Sequence, residues 1–253
     1  MIKMMKTIFV KNYEEMSEKG YEIIKDVIET KEQPVISMTT GGSPRGLFTL
    51  LVEGVNNGLD ISHTVMMNLD EYIGPKDAVY TVNTFMYENF YNKINTQPKE
   101  IFLINGEADN KEEEINRYKE VLNTYSRDVQ VLGLGTNGHI GANEPGTPFD
   151  STIFLAEHDD STIESTMREY NIERDQAPTE MITLGFTEIL EAEKVILLVS
   201  GKRKSEAVKN LLEGEISTDC PATALRDKDN VIVIIDEEAA SLLNEETKKG
   251  KSI

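Results

Sequence analysis

The 253 residues predict an α/β fold, one domain built on a doubly wound, mostly parallel sheet with helices on both faces. Three observations carry that expectation. Short apolar runs rich in β-branched residues, such as Val35–Met38, Thr64–Leu69, Val195–Val199 and Val231–Ile235, suit strands buried on both faces. Between the strands lie segments whose apolar residues recur every three or four positions, the spacing of an amphipathic helix. Four strand ends also run straight into glycine-rich or charged loops, which is where open parallel sheets place their ligands.

Taken in order, Thr7–Val10 is the first strand, followed by a helix from Tyr13 through Met16, Gly20, Ile23, Ile24, Val27 and Ile28. Pro34 stops it, and Val35–Met38 is the second strand. The turn Thr39-Thr40-Gly41-Gly42-Ser43-Pro44 places Ser43 as N-cap and Pro44 at the first helical position of a helix faced by Leu47, Phe48, Leu51, Val52 and Val55. Such a strand, glycine turn and helix start point backbone N–H groups at an anion. Thr64–Leu69 is the third strand, with Asp70-Glu71-Tyr72 at its carboxyl end, and a helix is expected over Val82–Tyr91. A short apolar piece, Ile101–Ile104, precedes a helix through Ile115, Tyr118, Val121, Leu122 and Tyr125.

The strand beginning at Val129 opens into Gly133-Leu134-Gly135-Thr136-Asn137-Gly138-His139, then Asn143-Glu144-Pro145-Gly146. Ser151–Ala156 reads as a further strand, and Asp159–Gln176, poor in apolar residues and carrying Arg168, as a surface helix or mobile flap. Val195–Val199 leads into Gly201-Lys202-Arg203-Lys204, then a helix on Ala207, Val208, Leu211 and Leu212. Pro221–Leu225 precedes the last strand and a short acidic helix. The domain is expected to span residues 1–243, with 244–253 a polar, frayed tail.

Composition narrows the partners. A net charge of −19 argues against nucleic acid or an anionic membrane, both of which select for clustered Lys and Arg. No run is long enough to span a bilayer, and the N-terminus lacks the form of a signal peptide. The one cysteine, Cys220, excludes an internal disulfide framework and suits a reducing, cytoplasmic setting. An anionic ligand would need its own local positive field on so acidic a chain.

The four loops hold the candidate chemistry. Asp70 at a sheet edge is a carboxylate placed to act as a base at carbon, with Glu71 beside it in the pocket. His139 can move protons near neutral pH, and Glu144 five residues on can fix its tautomer. With only three histidines, and His63 and His158 in unrelated contexts, a multi-histidine metal site has little support. The Gly-Gly-Ser-Pro turn is neither a Walker A loop nor a dinucleotide fingerprint, which disfavours ATP and NAD. No G-x-S-x-G elbow is present, so a Ser-His-Asp hydrolase falls behind.

Thr40–Pro44, Asn68-Leu-Asp-Glu-Tyr-Ile-Gly74, Leu132–Gly146, Gly201–Lys204 and Pro221-Ala-Thr223 together resemble the glucosamine-6-phosphate deaminase (isomerase) family, which is related to galactosamine-6-phosphate isomerases and 6-phosphogluconolactonases. The pair Leu-Asp-Glu-Tyr and Asn-Gly-His-Ile…Asn-Glu-Pro-Gly is highly specific. The resemblance implies a Rossmann-like enzyme that couples aldose–ketose isomerisation of an amino sugar phosphate to loss of ammonia, without metal or other cofactor. It implies Asp70 as the base that takes the C2 proton, and His139, oriented by Glu144, as the ring-opening group, with Gly138 beside it. Gly41, Gly42, Ser43, Arg168 and Lys204 would hold the phosphate.

Two departures bear on the substrate. Asn137 stands where many members have Asp; it can bond a hydroxyl but cannot accept a proton, so it is assigned positioning. Ala78-Val79-Tyr80-Thr81-Val82 replaces the family's His-x-x-Ser-Tyr, and Ala142 the common Phe. Both lie near where sugar hydroxyls are read, which brings in galactosamine 6-phosphate as the competing substrate; a lactonase and a non-catalytic sugar-phosphate binder stand further back. A homo-oligomer is compatible with the sequence.

Overall fold

In the computed structural model, which describes residues 5–158 and 160–249, a seven-stranded sheet has the order β1-β10-β9-β6-β2-β3-β5. Its strands are β1 (Lys6–Val10), β2 (Val35–Met38), β3 (Val65–Asn68), β5 (Glu100–Phe102), β6 (Val129–Gly133), β9 (Lys194–Val199) and β10 (Val231–Asp236). Every pairing among them is parallel. The helices α1 (Tyr13–Thr30), α2 (Arg45–Asn56) and α3 (Val82–Met86, running on as a π turn over Tyr87–Tyr91) cover one face. On the other face lie α4 (Lys111–Thr124), α6 (Phe186–Leu190) and α7 (Ser205–Glu213). The expected doubly wound architecture is therefore observed. None of the described helices is long and apolar enough to cross a membrane.

The faces follow from the sequence. In α1, Met16, Gly20, Ile24, Val27 and Ile28 are buried and meet Leu47, Phe48, Leu51 and Val55 of α2. Asn12 caps α1 by accepting the Glu15 N–H at 2.9 Å. β9 and β10 are nearly continuous apolar strands because both of their faces are covered.

The strand order reverses between β2 and β6. From there the chain winds outward through β3 and β5 on one side and through β9 and β10 on the other. The loops after β2 and β6 diverge at this point and leave a crevice at the carboxyl ends of the strands.

Four expectations are corrected. Asp70-Glu71-Tyr72 is not a loop at the end of β3: it forms β4 (Asp70–Tyr72), the edge of a separate antiparallel sheet β4-β8-β7 with β8 (Glu180–Thr183) and β7 (Phe154–Glu157). The strand β8 has no counterpart in the sequence reading, because Met-Ile-Thr is too short to separate from loop. Ser43 is not the cap of α2; Pro44 occupies the cap position, no side chain caps the helix, and Ser43 lies half-buried before it. The segment after β10 is a series of turns, and the short helix α8 (Glu245–Lys249) falls in the stretch expected to be frayed, with Asn244 accepting the Thr247 N–H at its start. Residues 250–253 of the expected tail lie outside the described residues.

Candidate active site

The crevice is a cleft of about 810 Å³. It gathers Asp70 from β4, Gly41, Gly42 and Ser43 from the loop after β2, and Asn137, His139 and Glu144 from the loop after β6. Arg168 from α5 (Asp160–Tyr170) and Lys204 from the turn after β9 complete it. Residues spread over more than a hundred positions thus meet because each ends a strand, or follows one, at the same edge.

Asp70 is buried, at 6% exposure, and its backbone is held by pairing with Thr183. Among the described residues no hydrogen-bond donor reaches its carboxylate. Burial pushes the carboxyl from the ordinary range up to about 7, with His139 opposing the shift. Desolvation without donors produces such a shift, and it leaves a base poised near neutral pH.

The loop after β6 is a rigid turn built around His139. The Gly135 N–H donates to the His139 carbonyl at 2.9 Å, and a Cβ at Gly135 would lie 2.4 Å from the imidazole ring. Gly138 adopts φ +88°, where a Cβ would strike the Cys220 sulfur at 2.5 Å, so both positions require glycine. The Ala222 N–H donates to the Gly138 carbonyl at 2.8 Å and ties the loop to the 220–225 turn. Gly138 therefore shapes the loop from behind. Buried Asn143 donates to the carbonyls of Ile140 and Leu184, which makes it scaffold as well.

His139 Nδ1 stands 3.2 Å from Glu144 Oε1, an ion-pair distance, although the N–H is not aligned for a straight hydrogen bond. Asn137 Nδ2 donates to Glu144 Oε2 at 2.7 Å, while Asn137 Oδ1 accepts the His139 backbone N–H at 3.1 Å. The Thr162 hydroxyl donates to Glu144 Oε1 at 3.3 Å. The amide at 137 thus holds Glu144 against the imidazole. An Asp there would set two carboxylates against each other.

Gly41 (φ +95°), Gly42 and Ser43 form a bare turn at the start of α2. The Tyr13 hydroxyl donates to the Gly42 carbonyl at 3.1 Å and accepts the Gly46 N–H at 2.7 Å, pinning the turn. Across the cleft, Asp236 accepts from the Ser200 hydroxyl and the Gly201 N–H, which sets the turn carrying Lys204. Arg168 is at the rim, exposed, with Glu164 3.8 Å away. These groups supply the positive field that an anionic ligand requires on this acidic surface.

Glu71 departs from its expected place. Its carboxylate accepts the N–H groups of Tyr72, Val82 and Asn83, each at 2.8 Å, and so caps α3. It faces a separate cavity of about 250 Å³ shared with Lys76, Asn83 and Asn105, because neighbours on a strand point to opposite faces. Burial raises its carboxyl to about 7 against those three donors.

Residues that the sequence reading does not assign to the site also line the cleft, among them Arg203, Tyr72 and His158. Arg203 lies in the basic run beside Lys204 and lines the cleft with it. Tyr72 and His158 also line it, with ring centroids 5.6 Å apart, and Tyr72 meets Tyr80 edge-on at 5.7 Å. The altered 78–82 segment therefore reaches the cleft through Tyr72. Nothing local marks His158, which becomes a neighbour only when β7 pairs with β8.

Comparison with known proteins bears on this arrangement. The family described as glucosamine-6-phosphate isomerases/6-phosphogluconolactonase matches residues 11–234. A glucosamine-6-phosphate deaminase of Bacillus cereus is 43% identical over 242 residues, covering 95% of this chain and 90% of that protein. One from Bacillus anthracis is 42% identical with the same coverage. A solved monomeric glucosamine-6-phosphate deaminase is 38% identical with a TM-score of 0.89, covering 94% of this chain and all of that one. The 6-phosphogluconolactonase of Trypanosoma brucei, at 18% identity and TM-score 0.75, shares the fold over 95% of this chain and 99% of that one.

Proposed function

The chain belongs to the glucosamine-6-phosphate isomerase/6-phosphogluconolactonase family, and on that premise we propose that it converts glucosamine 6-phosphate and water to fructose 6-phosphate and ammonia. The observation that carries the proposal is the buried carboxyl of Asp70, with no donor to it among the described residues and raised to about 7, in one cleft with the His139–Glu144 pair.

On this reading the phosphate rests on the Gly41–Ser43 turn, between Lys204 and Arg168. His139, held by Glu144 and indirectly by Asn137, moves the proton that opens the pyranose ring. Asp70 removes the proton from C2, and the electron pair forms the enolamine. The carboxylic acid, able to trade its proton with solvent before it acts, then protonates C1, leaving an imine at C2. Water adds to the imine carbon, the C–N bond breaks, and the ketose and ammonia depart. A base near neutral pH suits both halves of the transfer, because it must release the proton as readily as it takes it. One chain supplies every group named, so the chemistry needs no second copy. We also read residues 1–243 as a single catalytic domain, and we place the activity in the cytoplasm.

The C4 epimer, galactosamine 6-phosphate, is the second reading, favoured by the altered 78–82 segment and its contact through Tyr80 and Tyr72. Incubation with each amino sugar phosphate, following ammonia and ketose phosphate, tests both. Faster turnover of glucosamine 6-phosphate is expected. Folded protein that releases ammonia from neither would remove the proposal.

A further inference from the structure

The chain changes sheets immediately before Asp70, and one side chain is wedged at the point of change. β3 runs beside β5 only as far as Met67 opposite Phe102. Beyond it, the next three residues are held by three different elements. The Leu69 N–H still donates to Met38 of β2 at 2.9 Å, while the Leu69 carbonyl accepts the Leu184 N–H at 3.0 Å. Asp70 then pairs with Thr183 in the small sheet.

Asn68 turns its backbone groups the other way, toward β5, where the ladder has ended. There the Tyr118 hydroxyl, from the buried face of α4, accepts the Asn68 N–H at 3.2 Å and donates to the Asn68 carbonyl at 2.7 Å. The Phe102 carbonyl lies 3.4 Å from the same oxygen. One hydroxyl therefore takes the place of a strand partner and separates β3 from β5. Tyr118 and Asn68 are both fully buried, so these two backbone groups are satisfied inside the protein rather than by bulk solvent.

We propose that Tyr118 is a positioning residue for the base: it fixes where the chain leaves the large sheet and hence where the Asp70 carboxylate stands relative to C2. The inference rests on the reading of Asp70 as that base. A side chain that acts only through geometry affects the proton-transfer step and leaves phosphate binding alone, and a displacement of the order of 1 Å at a reacting group lowers rates by up to about a hundredfold.

Tyr118→Phe keeps the ring in the core and removes the oxygen. The expected result is a fall in kcat of about tenfold or more with KM within about twofold of wild type, and a parallel fall in C2–H exchange with solvent. Tyr125→Phe, on the residue following the same helix, loses the bond to Glu100 and should keep the wild-type kcat. Asp70→Asn assayed alongside separates the two claims. If Asp70→Asn abolishes exchange while Tyr118→Phe keeps kcat within about twofold, the role of Asp70 stands and that of Tyr118 is overturned. If Asp70→Asn retains exchange, both fall. A Tyr118→Phe protein that does not fold would make Tyr118 a purely structural residue and overturn the proposal as well.

Discussion

Replacing Asp70 by Asn should make the protein gain stability relative to wild type as pH rises, the reverse of what removing a native carboxylate usually does. The sign follows from the raised carboxyl. An acid that titrates near 3.8 when exposed and about 7 when buried holds its proton more tightly in the folded state. Its contribution to stability is complete below about pH 4 and is lost as pH rises through 7. The full swing is about 4 kcal/mol, of which about 2 kcal/mol falls between pH 5.5 and 8.5, a window clear of the acidic range where the charge of −19 vanishes. The assay is urea or thermal unfolding of wild type and Asp70→Asn at both pH values. The cost of burying the amide cancels when the two differences are compared. Relative to wild type, the variant should gain about 2 kcal/mol on going to pH 8.5, or roughly 4–8 °C in Tm. Glu71, whose shift includes repulsion from Asp70, adds to the gain in the same direction. A stability difference that does not change with pH would mean that Asp70 titrates normally, and the poised base would have to be abandoned.

Activity should follow the same ionisation: kcat/KM should rise through about pH 7 as Asp70 loses its proton, and a profile flat from pH 5 to 8 would count against it as base. Asn137→Asp should add a proton-linked step to the pH dependence of kcat, because two carboxylates 2.7 Å apart must share a proton; an unchanged profile would contradict the Asn137–Glu144 contact. Arg203→Ala and Lys204→Ala should each raise KM, by about tenfold for Lys204, with a weaker dependence of kcat/KM on salt. Lowered kcat at constant KM would place these cations away from the phosphate. Glu71→Ala should cost about 1–3 kcal/mol of stability by leaving three backbone N–H groups without an acceptor, read as a lower urea midpoint.

The large sheet was readable because its strands are buried on both faces, so β9 and β10 show as unbroken apolar runs and α1 and α2 as three-and-four spacing. The loops were readable for a related reason: glycine at 135 and 138 answers a local steric demand that any turn of this shape imposes. The small sheet was not. Asp70-Glu71-Tyr72 has too few residues to show a period, and its strand character comes from β8, more than a hundred residues away. His158 comes beside Tyr72 only through the pairing of β7 with β8, which nothing in its own neighbourhood marks. Glu71 read as a pocket carboxylate because it adjoins Asp70; the alternation of a strand sends it to the far side, where it caps α3. Ser43 looked like a cap from the Ser-Pro pair, yet the helix begins one residue later and leaves Ser43 at the cleft. Tyr118 registered only as an apolar position of α4, since its hydroxyl acquires a partner only where β3 and β5 part.

The central claim is that one buried carboxylate carries the C2 proton. It is tested most directly by incubating wild type and Asp70→Asn in D₂O with glucosamine 6-phosphate and following the C2 hydrogen by NMR together with ammonia. Wild type should exchange the C2 hydrogen and release ammonia, whereas Asp70→Asn should do neither while still binding fructose 6-phosphate. Exchange and ammonia release by Asp70→Asn at wild-type rates would contradict the account.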